Sequence, residues 1–328
     1  MTTKKQVKLE AYVKGPRKLQ PPMEHELGIN GKLNPILKNV LKDDRLRLDI
    51  RDRRFNVYYQ GGSLMLVDGR KRKWALHFDE KYFKGGSVIP PPLPEFVTSQ
   101  DDSDSSAWVK AFPVLIKGMD AWWQRHPKGE RTHCQAIATM NTEVSGLPKS
   151  DYLVLDLEYQ WAQRRLDMIA AKRNPTAADP VGWSEPIFVF VEVKSEMGAC
   201  FGKSGLRDHA ADYKDIIGAR DGQSARDIMD EFRDVIAQKR RLGLLDQSLP
   251  FRDFSAKPPE LLIIFVNPDV NNPKLKLDVN YPKLKPLMAE LKAVDKALGD
   301  SGHIYLMNLN QPDYLMTSKS AELLRELV

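Results

Sequence analysis

Two cysteines in 328 residues, Cys134 and Cys200, are too few for a disulfide framework. With no CxxC pair and no histidine at ligand spacing, they also offer no structural zinc site, and both read as buried free thiols. Long apolar runs are lacking as well. The longest, Ile187–Val193 and Leu261–Val266, fall far short of the roughly 20 residues of a membrane span, so no membrane association is expected. Charge of one sign is not in large excess: 50 Lys and Arg face 44 Asp and Glu, and a net charge of +6 permits contact with a phosphate backbone without requiring it. The first residues, MTTKKQVKLE, lack the apolar stretch of a secretory signal, which gives the expectation of a cytoplasmic protein. The six histidines (His25, His77, His126, His133, His209, His303) stand at no metal-ligand spacing, and no catalytic dyad is expected from them. Repeats and long low-complexity segments are absent. What remains is a chain 42% hydrophobic, enough for one large domain or two ordinary ones.

Residues 1–98 read as β-rich. Arg54–Tyr59, Ser63–Val67 and Trp74–Phe78 alternate and are separated by Gly61-Gly62 and by a charged turn at Asp68–Arg70, the signature of a strand meander. Pro90–Pro94 and the acidic, serine-rich stretch 99–106 suit no regular element, and a linker is expected there. From Ala107 the spacing of Trp108, Phe112, Leu115, Ile116, Met119 and Trp122-Trp123 predicts a helix, capped by Ser105 or Ser106. A second helix over Glu130–Met140 precedes strands at Tyr152–Trp161, Arg165–Ala171 and Ile187–Lys194. Helices at Leu206–Ile217 and around Ile228–Leu242 follow, then a strand at Leu261–Val266, a helix at Leu284–Leu298 and a strand at Ile304–Leu309. The expected fold is therefore α/β, an α-βββ-α-β domain over 107–328 with a mixed central sheet, preceded by a smaller β-rich region.

The segment Ile187–Lys194, IFVFVEVK, is apolar on both faces until its end, as in a strand covered on both sides. Side chains two apart on a strand share a face, so Glu192 and Lys194 emerge together beside the core. A carboxylate removed from water costs several kcal/mol unless a cation compensates. The preceding strand sets a second acid, Asp167, into the apolar run LDMIA. A divalent ion such as Mg²⁺ or Mn²⁺ resolves the repulsion between two such carboxylates and would polarise a phosphoryl oxygen, with Lys194 adding a mobile positive charge. Three other Asp/Glu-x-Lys triplets, starting at Asp79, Asp212 and Glu290, lack this setting; the latter two fall in amphipathic helical surroundings, where such pairs usually face solvent.

In these residues the chain resembles the PD-(D/E)XK, or restriction-endonuclease-like, nuclease superfamily, over roughly 107–270. The resemblance implies Asp167 in RRLDMIAAK on the second strand of the core and Glu192 with Lys194 in FVFVEVKSE on the third. Asp167 and Glu192 would hold Mg²⁺ or Mn²⁺, and Lys194 would assist the nucleophile. A supporting acid would come from Glu130 in GERTHCQAIATMN or from Glu158 in LDLEYQW, so both join the catalytic set. The usual Pro before the Asp is replaced by Leu166. The activity implied is hydrolysis of DNA phosphodiester bonds, in restriction, repair or phage defence, with a protein partner or a second copy of the chain left open. Lys203, Ser204 and Arg165 are candidate contacts to the substrate phosphates. A nuclease-like fold that binds nucleic acid or a protein without cleavage is the alternative. Gly198–Ser204 also looks like a phosphate-cradling loop, but three residues separate its glycines where such a loop needs four, which argues against nucleotide hydrolysis.

Overall fold

The computed structural model describes residues 17–70, 73–98, 105–127, 129–162, 164–195, 197–219, 222–267, 285–299, 302–310 and 313–327. Within them the fold is mixed α/β, with one five-stranded and one six-stranded sheet. The chain divides into two units. One comprises Gly15–Gln135 and Asp234–Gln247; the other comprises Ala136–Arg233 and Ser248–Val328.

The first unit holds α1 (Pro21–Leu27), α2 (Asn34–Lys42), strands β1 (Leu46–Arg51), β2 (Arg54–Tyr59), β3 (Gly62–Arg70), β4 (Lys73–His77) and β5 (Phe96–Thr98), and α3 (Ser106–Arg125). The strands form an antiparallel meander in chain order. Proline in the first turn of both α1 and α2 suits the fixed φ and missing N–H of that residue. Gln60 and Gly61, both at positive φ, make the tight β2–β3 turn, and a Cβ on Gly61 would lie 2.2 Å from the Arg131 carbonyl oxygen. Asp68 and Gly69, expected in a turn, lie within β3 and pair with Ala75 and Trp74.

The domain boundary differs from the expected one. Trp108, Phe112, Leu115 and Met119 of α3 bury in one core with Leu48, Phe55, Val57, Val67 and Trp74 of the meander, so α3 belongs to the first unit. An apolar helical stripe must be covered, and the meander supplies the cover. Composition marks where regular structure stops, whereas a boundary is set by which faces pack. Of the expected linker, 99–104 lies outside the described residues. Ser105 is fully buried at the N-cap position, but its hydroxyl donates to the Lys32 carbonyl and does not cap the helix.

The division of the chain falls inside α4 (Gly129–Met140) and again inside α6 (Gln223–Arg241). The second unit carries β6 (Tyr152–Trp161), β7 (Arg164–Lys172), β8 (Ile187–Lys194), α5 (Leu206–Gly218), β9 (Glu260–Asn267), α7 (Lys285–Leu298), β10 (His303–Asn310), β11 (Ala321–Leu323) and α8 (Leu324–Leu327). Its sheet is mixed. β6, β7 and β8 form an antiparallel meander, β9 and β10 run parallel to β8, and β11 closes the edge antiparallel to β10. Every residue of β8 is buried, as its two-faced apolar pattern requires. On one face Phe188 packs edge-on against Phe232 of α6 and against Phe254, while Phe190 meets Tyr213 of α5. Cys134 and Cys200 are buried and unbridged. Among the described residues no helix is long and apolar enough to cross a membrane.

Candidate functional site

The C-terminal end of β8 brings several charged groups together in the second unit. The last register pair between β7 and β8 is Met168 with Val191, so one step further Asp167 stands across from Glu192. The Asp167 carboxylate accepts the backbone N–H of Val193 at 2.9 Å. On the other side of β7, Leu157 pairs with Met168 and Tyr159 with Leu166, which puts Glu158 across from Asp167. Three acids from three adjacent strands thus stand at one level of the sheet.

Helix α5 brings a fourth group to this end. Two residues along a strand advance about 6.6 Å. Four residues along a helix advance about 6 Å. With Tyr213 against Phe190, ring centroids 6.1 Å apart, the residue one turn earlier in α5 therefore faces the residue two further along β8. That pair is His209 and Glu192, with Nε2 and Oε1 2.8 Å apart. Lys194 Nζ donates to the same Oε1 at 3.0 Å. Both cationic-type donors also reach the Ser204 carbonyl, Lys194 at 3.3 Å and His209 Nε2 at 2.9 Å. Ser204 is in the left-handed region, φ 62°, and Asp208 accepts its N–H at 2.9 Å, fixing the turn that aims this carbonyl inward. Since His209 Nε2 faces two acceptors, it is the ring nitrogen that carries hydrogen.

Glu192 is 3% exposed. Burial pushes its carboxyl up, but His209 and Lys194 outweigh this and hold it below the ordinary glutamate value, so it is an anion. Only Oε1 receives donors. Oε2 is buried without a hydrogen-bond partner, as is His209 Nδ1. A buried anionic oxygen with no donor is costly, and a hard cation is one partner that would satisfy it. Among the described residues no three His, Cys, Asp or Glu side chains are arranged to hold a metal ion. Two carboxylates nonetheless suit Mg²⁺, which keeps several of its waters and takes one or two protein carboxylates. Glu192 Oε2 and Asp167, across from it on β7, are the two carboxylates that such a donor set would use.

The remaining candidates divide. Glu158, at φ 53°, forms an ion pair with Arg165, so a candidate supporting acid and a candidate phosphate contact engage each other. Arg164 pairs with Asp212 at 2.6 Å and with Asp215. Burial raises the Asp212 carboxyl above its ordinary value, against the pull of Arg164. Lys203 is exposed, and Ser204 contributes its backbone carbonyl to the cluster. Glu130 lies in the first turn of α4, in the other unit, and is not among the residues this sheet brings together.

His209, a histidine without metal-ligand spacing in the sequence, joins this cluster. A signal for it exists in the sequence: Leu206, His209, Ala210, Tyr213 and Ile216 fall on one helical stripe and all are buried. A histidine within an apolar stripe, on the helix after the strand that ends in Glu192, is placed to meet that acid. Comparison with protein-family models, with curated proteins and with solved structures finds no match to this chain.

Proposed function

We propose that this protein is a divalent-metal-dependent nuclease with a restriction-endonuclease-like αβββαβ core, acting on DNA in the cytoplasm. The observation that carries this reading is the buried Glu192 carboxylate, with one oxygen held by Lys194 and His209, the other without a partner, and Asp167 across from it. Asp167 and Glu192 are the metal ligands. Mg²⁺ or Mn²⁺, when bound, supplies polarisation of the phosphoryl oxygen and a more acidic water. Lys194, steered by Glu192 Oε1 and the Ser204 carbonyl, offers positive charge to the nucleophile or to the negative charge that builds on the phosphate. Glu158, at the same level of the sheet, supplies a supporting carboxylate on release from Arg165; Glu130 is the other acid that the resemblance implies. Lys203, Ser204 and Arg165 contact substrate phosphates. DNA as the substrate, and a restriction, repair or phage-defence setting with a protein partner or a second copy, follow from the resemblance to PD-(D/E)XK nucleases alone.

A second reading, a nuclease-like module that binds nucleic acid or a protein without cutting, has one observation in its favour. The side chains of Lys194 and Glu192 are each 4% exposed and bonded to one another, as in an internal ion pair. Cleavage of linear, circular and single-stranded DNA with Mg²⁺, Mn²⁺ or EDTA separates the two. Metal-dependent cutting by the wild type, lost by roughly 10³-fold or more in folded Glu192→Ala and Lys194→Ala, is the expected result. Equal cutting by all three proteins overturns the assignment, and no cutting by any of them favours the binding module.

A further inference from the structure

His209 has no part in the roles given so far, yet it is the closest group to the Glu192 carboxylate. Its Nε2 lies 2.8 Å from Oε1, its side chain is 10% exposed, and it enters from α5 and not from the sheet. Asp167 and the Glu192–Lys194 pair sit on neighbouring strands whose side-chain directions the backbone fixes. A glutamate side chain, in contrast, keeps rotatable bonds beyond Cβ, so its two oxygens exchange places unless something holds one of them. Lys194 is a flexible donor from the same strand and can follow the carboxylate as it turns. His209 is less free: the same Nε2 that meets Oε1 also lies 2.9 Å from the Ser204 carbonyl, and Asp208 accepts the Ser204 N–H. The His209 Nε2–H therefore decides which glutamate oxygen is spent on protein donors and which is left over.

We infer that His209 is a positioning residue that locks Glu192 with Oε2 turned to the divalent cation. This rests on the metal-site reading above. Groups that orient a metal ligand from behind raise affinity for the ion by roughly 10- to 100-fold. Their loss is felt first in metal binding and only secondarily in turnover at saturating metal.

The test is calorimetric titration of Mn²⁺ into the full chain, without DNA. Wild type, Glu192→Gln, His209→Gln, His209→Ala and His209→Leu are compared after circular dichroism has confirmed that each is folded. His209→Gln keeps an N–H at about the same reach, and His209→Leu fills the space with no donor, so the experiment survives if the alanine variant unfolds. Expected are binding by wild type, loss in Glu192→Gln, a roughly 10- to 100-fold weaker Kd in His209→Leu and His209→Ala, and near-wild-type binding in His209→Gln. The Mn²⁺ concentration for half-maximal DNA cleavage shifts by the same factor. Binding that is lost in Glu192→Gln but unchanged in His209→Leu overturns the role of His209 and leaves the metal site standing. No Mn²⁺ binding by wild type, or binding indifferent to Glu192→Gln, overturns the metal site and with it this inference.

Discussion

Asp49 in the first unit and Glu192 in the second are both buried carboxylates held by basic side chains, and the two are satisfied differently. In the first unit Asp49 of β1 is fully buried, and both of its oxygens are engaged: Oδ2 with Arg47 Nε at 2.9 Å, Oδ1 with Lys239 Nζ at 2.6 Å. Burial pushes the Asp49 carboxyl up, but Arg47, Lys239 and Arg51 together hold it far below the ordinary aspartate range. In the second unit Glu192 has its donors on one oxygen only. The first arrangement is closed and explains itself as an ion pair. The second has a coordination position left over, which is what separates a candidate site from a structural charge cluster. Burial and a shifted pKa are common to both and do not discriminate; the count of partnered oxygens does.

Neutralising each acid in turn sharpens that contrast most. Asp49→Asn removes the anion that Arg47 and Lys239 pair with inside the core and is expected to cost about 3–5 kcal/mol in urea denaturation, with Mn²⁺ affinity unchanged. Glu192→Gln is expected to do the reverse, abolishing Mn²⁺ binding while changing stability by less. If both variants lose stability and neither changes metal binding, the two clusters are of one kind. Acid provides a smaller, graded version. A carboxyl whose pKa is depressed by folding stabilises the native state above its unfolded pKa of about 3.9 and loses that contribution as pH falls toward the folded value. The urea midpoint should therefore hold from neutral pH to about pH 5 and fall below about pH 4, and Asp49→Asn should flatten that fall. A midpoint equally pH-dependent in the variant would show that other groups carry it. The smallest effect is expected at the Glu158–Arg165 pair. Arg165 is half-exposed there, so Arg165→Ala should change stability by no more than about 1 kcal/mol. If Arg165 touches phosphate, the variant's DNA affinity also falls less steeply with salt, its log–log slope lower by about one. An unchanged slope removes Arg165 from the interface.

Much of the second unit was legible in the sequence. Strands β6 and β8 begin and end at the residues their patterns indicate, and β7, β9, β10, α5 and α7 differ by a residue or so at their ends. That Glu192 and Lys194 share a face, and that Asp167 and Glu192 come level, needs only the period of a strand and the pairing of neighbouring strands in a meander. Less was legible in the first unit. β1, LRLDIR, is not among the expected strands; its charged positions suit a half-exposed strand, yet all six residues are buried. The charges on Arg47 and Asp49 are balanced by each other and by Lys239, nearly two hundred residues away in sequence.

Sequence by itself determined the period, the faces and the order of the strands, because these follow from backbone geometry within a few residues. Only the tertiary structure decided that α3 belongs with the meander, that Glu158 pairs with Arg165, and that His209 closes on Glu192. Each of those depends on which of several available faces or charges comes within about 3 Å, a distance set by packing across the chain and not by any local pattern.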